Sequence, residues 1–217
     1  MKALWLIGIV VVGGVGSAQA QEHPHHMAAP ATGPAVATGN IPPASAQIAG
    51  AVLAAPPELR AGAQVMGYSP EGKFVELRKG TNEMICLADD PKEEPRWHVA
   101  CYHQSLEPFM ARGRELAAQG IDGWAKDSIR NADIVAGRIK MPPVGGLYTL
   151  TAADSRCFDP AKGTICEQAE PLHSVYVPFA TPQSTGLLDH PTDRHTPWLM
   201  NAGSPKAHIM FGMHQHH

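Results

Sequence analysis

Histidine clusters at both ends of the 217-residue chain, and this clustering is the clearest chemical signal in the sequence. Removal of the first twenty residues would expose Gln21-Glu22-His23 as a new amino terminus, followed closely by His25 and His26. A free amine, two deprotonated backbone amides and the imidazole of the third residue form a square-planar nitrogen site that suits Cu(II) or Ni(II). The site depends on the cleavage point, because a shift of one residue destroys it.

The carboxyl terminus carries a second set of metal-binding side chains. Met213, His214, His216 and His217 all lie within the last five residues. Neutral imidazole binds copper, zinc and nickel, whereas a thioether favours Cu(I). The two ends together predict binding of copper, or of nickel or zinc. The alternative is a solvated tail with the incidental metal affinity of any histidine-rich segment.

The Asp189–His195 loop is the second candidate site. Its side chains that suit metal ligation or proton transfer are His190, Asp193 and His195. His173 or His208 would complete a pocket if the fold brings either of them close to the loop. The alternative is a solvated surface turn. For His208 the other expectation is a packed or hydrogen-bonded residue in the last strand.

Other function classes are disfavoured by motif and charge. The chain contains no G-x-S-x-G, H-E-x-x-H, phosphate-binding loop or S-x-x-K motif. A net charge of −3 without a Lys/Arg block argues against nucleic acid as a partner.

Three hypotheses for the function remain. The preferred one is a non-enzymatic protein whose ends bind a metal; the others are a ligand-binding or interaction domain without metal, and a hydrolase-type enzyme centred on the Asp189–His195 loop.

The first twenty residues have the features of a secretory signal. Lys2 precedes the apolar run Leu4–Val12, and Ala18-Gln19-Ala20 is a small-residue cleavage site. The apolar run is too short to span a bilayer comfortably, because a spanning helix needs about 20 apolar residues. We therefore expect cleavage after Ala20 and export to the periplasm or the extracellular space, with an uncleaved anchor as the alternative. No later segment of the sequence reaches spanning length.

The four cysteines follow the predicted signal, and an even number in an exported chain predicts disulfides. Three pairings are possible. The local one, Cys86–Cys101 with Cys157–Cys166, is preferred, and each short loop is worth roughly 2.5–3 kcal/mol in the chain-entropy model. A thiolate metal site is the alternative, but no C-x-x-C spacing supports it.

The residues after the signal divide into three parts. Residues 21–56 are rich in Ala and Pro and nearly uncharged, which predicts a disordered tether. Residues 57–212 are predicted to form a single small α+β domain, in which one or two helices are inserted into a disulfide-stapled antiparallel sheet of short strands. The expected strands are 63–68, 74–79, 84–87, 97–102, 147–151, 173–179 and 207–211. The expected helices are 105–120 and 121–136, and residues 213–217 form a histidine-rich tail.

Two stretches resemble an uncharacterised family of exported bacterial proteins. The first combines LRKGTN at 77–82 with the two cysteines that follow it, and the second combines PW at 197–198 with HIM at 208–210. This sequence has Ala207 where the family is expected to have proline. The resemblance implies a single exported domain in a bacterial compartment, and it implies no activity.

Overall fold

The computed structural model describes residues 41–193 and 195–211. The predicted signal and residues 21–40 of the predicted tether lie outside the described residues. So do the terminal residues that were predicted to bind metal: His23, His25, His26, Met213, His214, His216 and His217. Those interpretations stay predictions.

A mostly antiparallel sheet of eight strands organises the described part of the chain. Its members are β1 (Gln64–Tyr68), β2 (Phe74–Arg78), β3 (Met84–Leu87), β4 (Trp97–His103), β5 (Gly145–Ala152), β8 (Glu170–Tyr176), β9 (Trp198–Met200) and β10 (His208–Phe211). A separate hairpin is formed by β6 (Phe158–Asp159) and β7 (Thr164–Ile165). The sheet order is β2-β1-β3-β4-β5-β8-β10-β9. The predicted α+β fold class is confirmed.

One pairing in the sheet is parallel, between β1 and β3. β2 already pairs with one edge of β1, so the chain crosses the start of β1 to reach its other edge. At this crossover the backbone amides of Thr81 and Asn82 both donate to the carbonyl of Gly62. A Cβ at Gly80 would lie 2.9 Å from the backbone nitrogen of Gln64. The LRKGTN stretch thus contains the crossover, and its glycine permits the close backbone approach.

Helices cover both faces of the sheet. One face packs against α1 (Ala44–Ala51), the 3₁₀ turn Val52–Ala54 and α2 (Pro57–Arg60). The other face packs against α3 (Glu107–Ala118) and α4 (Gly123–Val135). Each face has its own hydrophobic cluster, because side chains alternate between the two faces along every strand. A short helix, α5 (Pro182–Thr185), lies in the long connection before β9.

The prediction of a disordered tether was wrong for residues 41–56. α1 lies within that range, and Ala51, Ala54 and Ala55 are buried against the sheet. Small side chains allow a helix to approach a sheet closely, so this segment is buried although it carries few bulky apolar residues. The prediction of disorder rested on the scarcity of bulky apolar residues and did not consider the close packing that alanine allows.

The two predicted helices are confirmed, with small differences at their ends. The first helix was expected to begin at Ser105, but this residue lies inside the 3₁₀ turn Gln104–Leu106, and its amide donates to Nδ1 of His103. Gly120 follows α3 in the left-handed conformation (φ 75°), as expected for a glycine that ends a helix. None of the helices in the described residues is long and apolar enough to cross a bilayer.

Both predicted disulfides are confirmed. Cys86 and Cys101 are direct partners on β3 and β4, with their Cα atoms 4.0 Å apart, and both are fully buried. Cys157 and Cys166 flank the β6–β7 hairpin, with a Cα–Cα distance of 5.0 Å. The first bond joins two central strands, and the second fixes the hairpin as a closed loop.

Candidate functional site

In the described residues of the Asp189–His195 loop, the ionisable groups bond to their sequence neighbours. Nδ1 of His190 lies 3.0 Å from the carboxylate of Asp189, and both side chains are exposed. Asp193 accepts the backbone amides of His195 and Thr196, each at 2.7 Å, and the Thr196 hydroxyl at 2.6 Å. The hydroxyl bond and these amides lower the pKa of Asp193 to about 2. Asp193 therefore stabilises a turn, which matches the alternative expectation for this loop.

His173 and His208 lie on opposite faces of the sheet. His173 pairs with Tyr148, which packs in the cluster beneath α1, and the two rings are 5.3 Å apart. His208 pairs with Tyr176, which packs in the cluster beneath α3, and these rings are 4.9 Å apart. The loop groups bond within their own turn, and each histidine packs against its strand partner. The pocket that would join the Asp189–His195 loop to one of these histidines stays a prediction.

His208 is a packed residue of the last strand, as the second expectation held. Its ring is buried and its Nδ1 lies 2.8 Å from the carbonyl of Lys206. Burial lowers the pKa of His208 below its usual value, because the charged imidazolium is poorly solvated there. In the described residues, no three His, Cys, Asp or Glu side chains are grouped closely enough to hold a metal ion.

A cleft of about 350 Å³ opens between α1 and two loops on the same side of the sheet. One loop joins β3 to β4 and supplies Asp89 and Glu94. The other follows β5 and supplies Ser155 and Phe158. β4 contributes Trp97, and α1 with the residues before it forms the remaining wall. Three segments that are distant in sequence, residues 41–51, 89–99 and 155–160, therefore meet at one concave surface, which is the usual setting of a small-molecule site.

Two stacked aromatic rings border the cleft beneath α1. Trp97 and Phe158 have centroids 5.4 Å apart and planes inclined by 20°. A Cβ at Gly50 would lie 3.2 Å from two ring carbons of Phe158 and 3.4 Å from Trp97. Glycine at this position therefore lets the helix lie directly against the rings. The disulfide next to Phe158 fixes the chain that carries this ring.

The charged side chains that line the cleft are both carboxylates. Asp89 is partly buried and accepts the backbone amide of His98 at 2.7 Å. Burial raises the pKa of Asp89 to about 6, and the nearby carboxylates of Glu94, Glu93 and Asp90 add to the effect. Glu94 is exposed and accepts the hydroxyl of Ser155 at 2.8 Å. The cleft therefore combines apolar walls with an acidic rim.

The wall formed by α1 is held by one buried glutamine. The side-chain amide of Gln47 donates to the carbonyls of Pro42 and Tyr68, both at 2.8 Å. Its Oε1 accepts the backbone amide of Tyr68, also at 2.8 Å. Every polar atom of this side chain has a partner, so its burial is not costly. These bonds fix the position of α1 relative to β1.

Sequence reasoning missed every residue of this cleft. The available signal was an acidic run, Asp89-Asp90 and Glu93-Glu94, placed directly between two apolar strands. A solvated loop has the same composition, so the signal alone does not select a site. Comparisons with protein families, with curated proteins and with solved structures find no match to this chain.

Proposed function

We propose that this chain is an exported, non-enzymatic binding protein that takes one small organic molecule into the cleft beside α1. The observation that carries the proposal is the cleft itself, with its Trp97–Phe158 pair and its acidic rim. No histidine, cysteine or lysine is among the described residues that line it. The Ser155 hydroxyl donates to a carboxylate and lacks the imidazole base that activates a nucleophilic serine. Binding is thus better supported than catalysis.

Export is part of the same proposal. Two disulfides are formed in the described residues, and such bonds persist in oxidising compartments such as the periplasm and the extracellular space. The predicted signal over residues 1–20 is in accord with that environment. Recovery of a mature chain that begins at Gln21 from the periplasm or the medium, measured by amino-terminal sequencing, would support export. A full-length chain retained in the cytoplasm would contradict it.

Ligand binding is tested by NMR with three probes that share one ring: phenethylamine, phenethyl alcohol and phenylacetate. We expect at least one probe to cause saturable shifts in the backbone amides of α1 and in the indole N–H of Trp97. Ala46, which lines the cleft from α1, is changed to Leu to fill the space. Ala117→Leu, at an exposed position on α3, is the matched control.

The expected result is loss of the probe shifts in Ala46→Leu and their retention in Ala117→Leu. Ser155→Leu fills the opposite side of the cleft, so it serves as a second variant should Ala46→Leu fold poorly. Absence of saturable shifts with all three probes, or shifts that the filling variants leave unchanged, would overturn the proposed function.

Metal binding by the two ends is a separate proposal that rests on sequence alone. A Cu(II) titration of the chain that begins at Gln21 should give a stoichiometric site with the visible spectrum of square-planar nitrogen coordination. A variant without residues 21–27 and 214–217 should lose it. Weak, non-saturating binding in both chains would reject copper handling, and the same pair of chains tests nickel and zinc.

A further inference from the structure

We infer that the cleft selects an organic cation, an amine or quaternary ammonium group carried on a small apolar body. The inference rests on the proposed function and adds the chemical class of the ligand. Its basis is charge complementarity. Asp89 and Glu94 are the charged residues among those described around the cleft, and both are acidic, while the remaining walls are mostly apolar. A ligand with a positive head and an apolar body matches both parts.

The aromatic pair favours the same ligand. The π-face of an aromatic ring is electron-rich and attracts a cation, and indole attracts it most strongly. Both rings border the cleft whose rim carries the two carboxylates, and because Trp97 is only 4% exposed and stacks on Phe158, the half-buried Phe158 is the more accessible of the two. Aromatic rings together with nearby negative charge form the usual environment for ammonium ligands in proteins. A neutral ligand would use the rings but supply no counter-charge to the two carboxylates.

Asp89 is the carboxylate that gains most from such a ligand. Within the described residues no Lys or Arg side chain forms an ion pair with it, and its identified hydrogen bond is with the His98 amide. The nearby Arg96 instead pairs with Glu93 at 2.8 Å. A bound cation would supply the counter-charge that the fold does not provide. Partial burial would strengthen this attraction relative to water.

The charges around Asp89 make the expected binding pH-dependent. Its own loop contributes the carboxylates of Asp90, Glu93 and Glu94, all of which raise its pKa. From β1 the Tyr68 hydroxyl faces this loop, and burial and Asp90 raise the pKa of that phenol, so it stays neutral. From β4 the neighbour is His98, whose amide makes the bond already described, and α1 presents the neutral Gln47. Ionisation of Asp89 is thus the step expected to control cation binding between pH 5 and pH 7.5.

The test measures the affinity of the full chain for phenethylamine, phenethyl alcohol and phenylacetate by NMR titration at pH 7.5. We expect the amine to bind at least tenfold more tightly than the alcohol and the carboxylate to bind most weakly. Lowering the pH to 5 should weaken amine binding by about tenfold, since a group with a pKa of about 6 is then about nine-tenths protonated. Binding of the alcohol should stay constant over this range.

Two charge-removing variants locate the preference. Asp89→Asn and Glu94→Gln should each reduce the ratio of amine to alcohol affinity by threefold or more, with alcohol affinity unchanged. Asn retains an oxygen that can accept the His98 amide, so the variant is expected to fold. Glu115→Gln removes the same charge from an exposed position on α3, beside the other face of the sheet, and is the matched control.

The outcomes separate the two levels of the proposal. Equal affinity for amine and alcohol would overturn the cation inference and leave the ligand-binding function standing. No saturable binding of any probe would overturn the proposed function. An amine preference that persists in both cleft variants, or that Glu115→Gln reduces equally, would show that the selectivity arises elsewhere and would also overturn the inference. Calcium binding in the cleft without amine binding would also overturn the cation inference.

Discussion

Replacing Asp89 by Asn is expected to stabilise the fold at neutral pH and to change it little near pH 4. Burial raises the pKa of Asp89 from its ordinary 3.8 to about 6, so the folded state binds this proton more tightly than the unfolded state does. Stability therefore falls as the pH rises from about 4 to about 6, and the loss is complete above that range. The full shift corresponds to about 3 kcal/mol. Because Asp89 is partly exposed, solvent screening reduces the expected gain to about 1–2 kcal/mol.

Urea unfolding of the two chains at pH 4 and pH 8, followed by tryptophan fluorescence, measures this difference. At pH 8 the Asp89→Asn chain should have the higher free energy of unfolding, and at pH 4 the two chains should nearly coincide. The hydrogen bond from the His98 amide is kept by the asparagine oxygen, so it contributes little to the difference. Glu115→Gln, at an exposed site, should show no such dependence on pH.

Two results would refute this reasoning. A variant that is less stable than the natural chain at pH 8 would mean that the Asp89 charge has a favourable partner in the free protein. A stability difference of the same size at both pH values would mean that the newly introduced side-chain amide at position 89, and not the removal of the charge, is responsible. Either result would also remove the need for a bound cation at this position.

Three further predictions concern the packing and protonation of the fold. Phe109 of α3 is fully buried against the sheet, so Phe109→Ala should lower the free energy of unfolding by about 3–5 kcal/mol in urea denaturation; a loss below 1 kcal/mol would contradict the packing. A Cβ at Gly145 would lie 2.7 Å from Cγ of Leu106, whereas one at Gly146 would meet nothing closer than 3.8 Å. Gly145→Ala should therefore cost about 1–3 kcal/mol and Gly146→Ala much less, and thermal unfolding that ranks them equally would contradict this contact. Burial lowers the pKa of His208, so its imidazole should titrate below its usual 6.5 by NMR and withdraw stability as the pH falls below that value; a midpoint at or above 6.5 would be inconsistent with the buried, neutral ring.

Seven strands of the described residues (β1–β5, β8 and β10) and the two long helices were predictable because their signals are local, whereas the short strands β6, β7 and β9 were not expected. β2 alternates apolar and charged residues over Phe74–Arg78, and α3 has its apolar residues near helical spacing with a glycine after its end. The disulfides were also predictable, since close sequence spacing favours local pairing. Each of these inferences uses only residues that are neighbours in the chain.

The rest of the fold could not be predicted because it depends on contacts between distant residues. β3 pairs in parallel with the edge of β1 that β2 leaves open. No local sequence pattern determines to which edge of a sheet a strand is added. α1 was not predicted because it is buried through the close approach of its alanine side chains to the sheet. The local sequence does not show that a sheet lies beside this segment. The cleft is harder still to predict, since Asp89 lies in a loop and Phe158 in a two-residue strand, and only the fold brings these two segments together.

The position of β10 has a consequence for how the chain is made. β10 lies between β8 and β9, so the last strand of the described residues is internal to the sheet and joins the edge strand β9 to the rest. A nascent chain that has not yet reached residue 208 leaves the edge of β8 open and β9 unattached. The eight-stranded sheet is therefore completed only once residues 208–211 have been added to the chain.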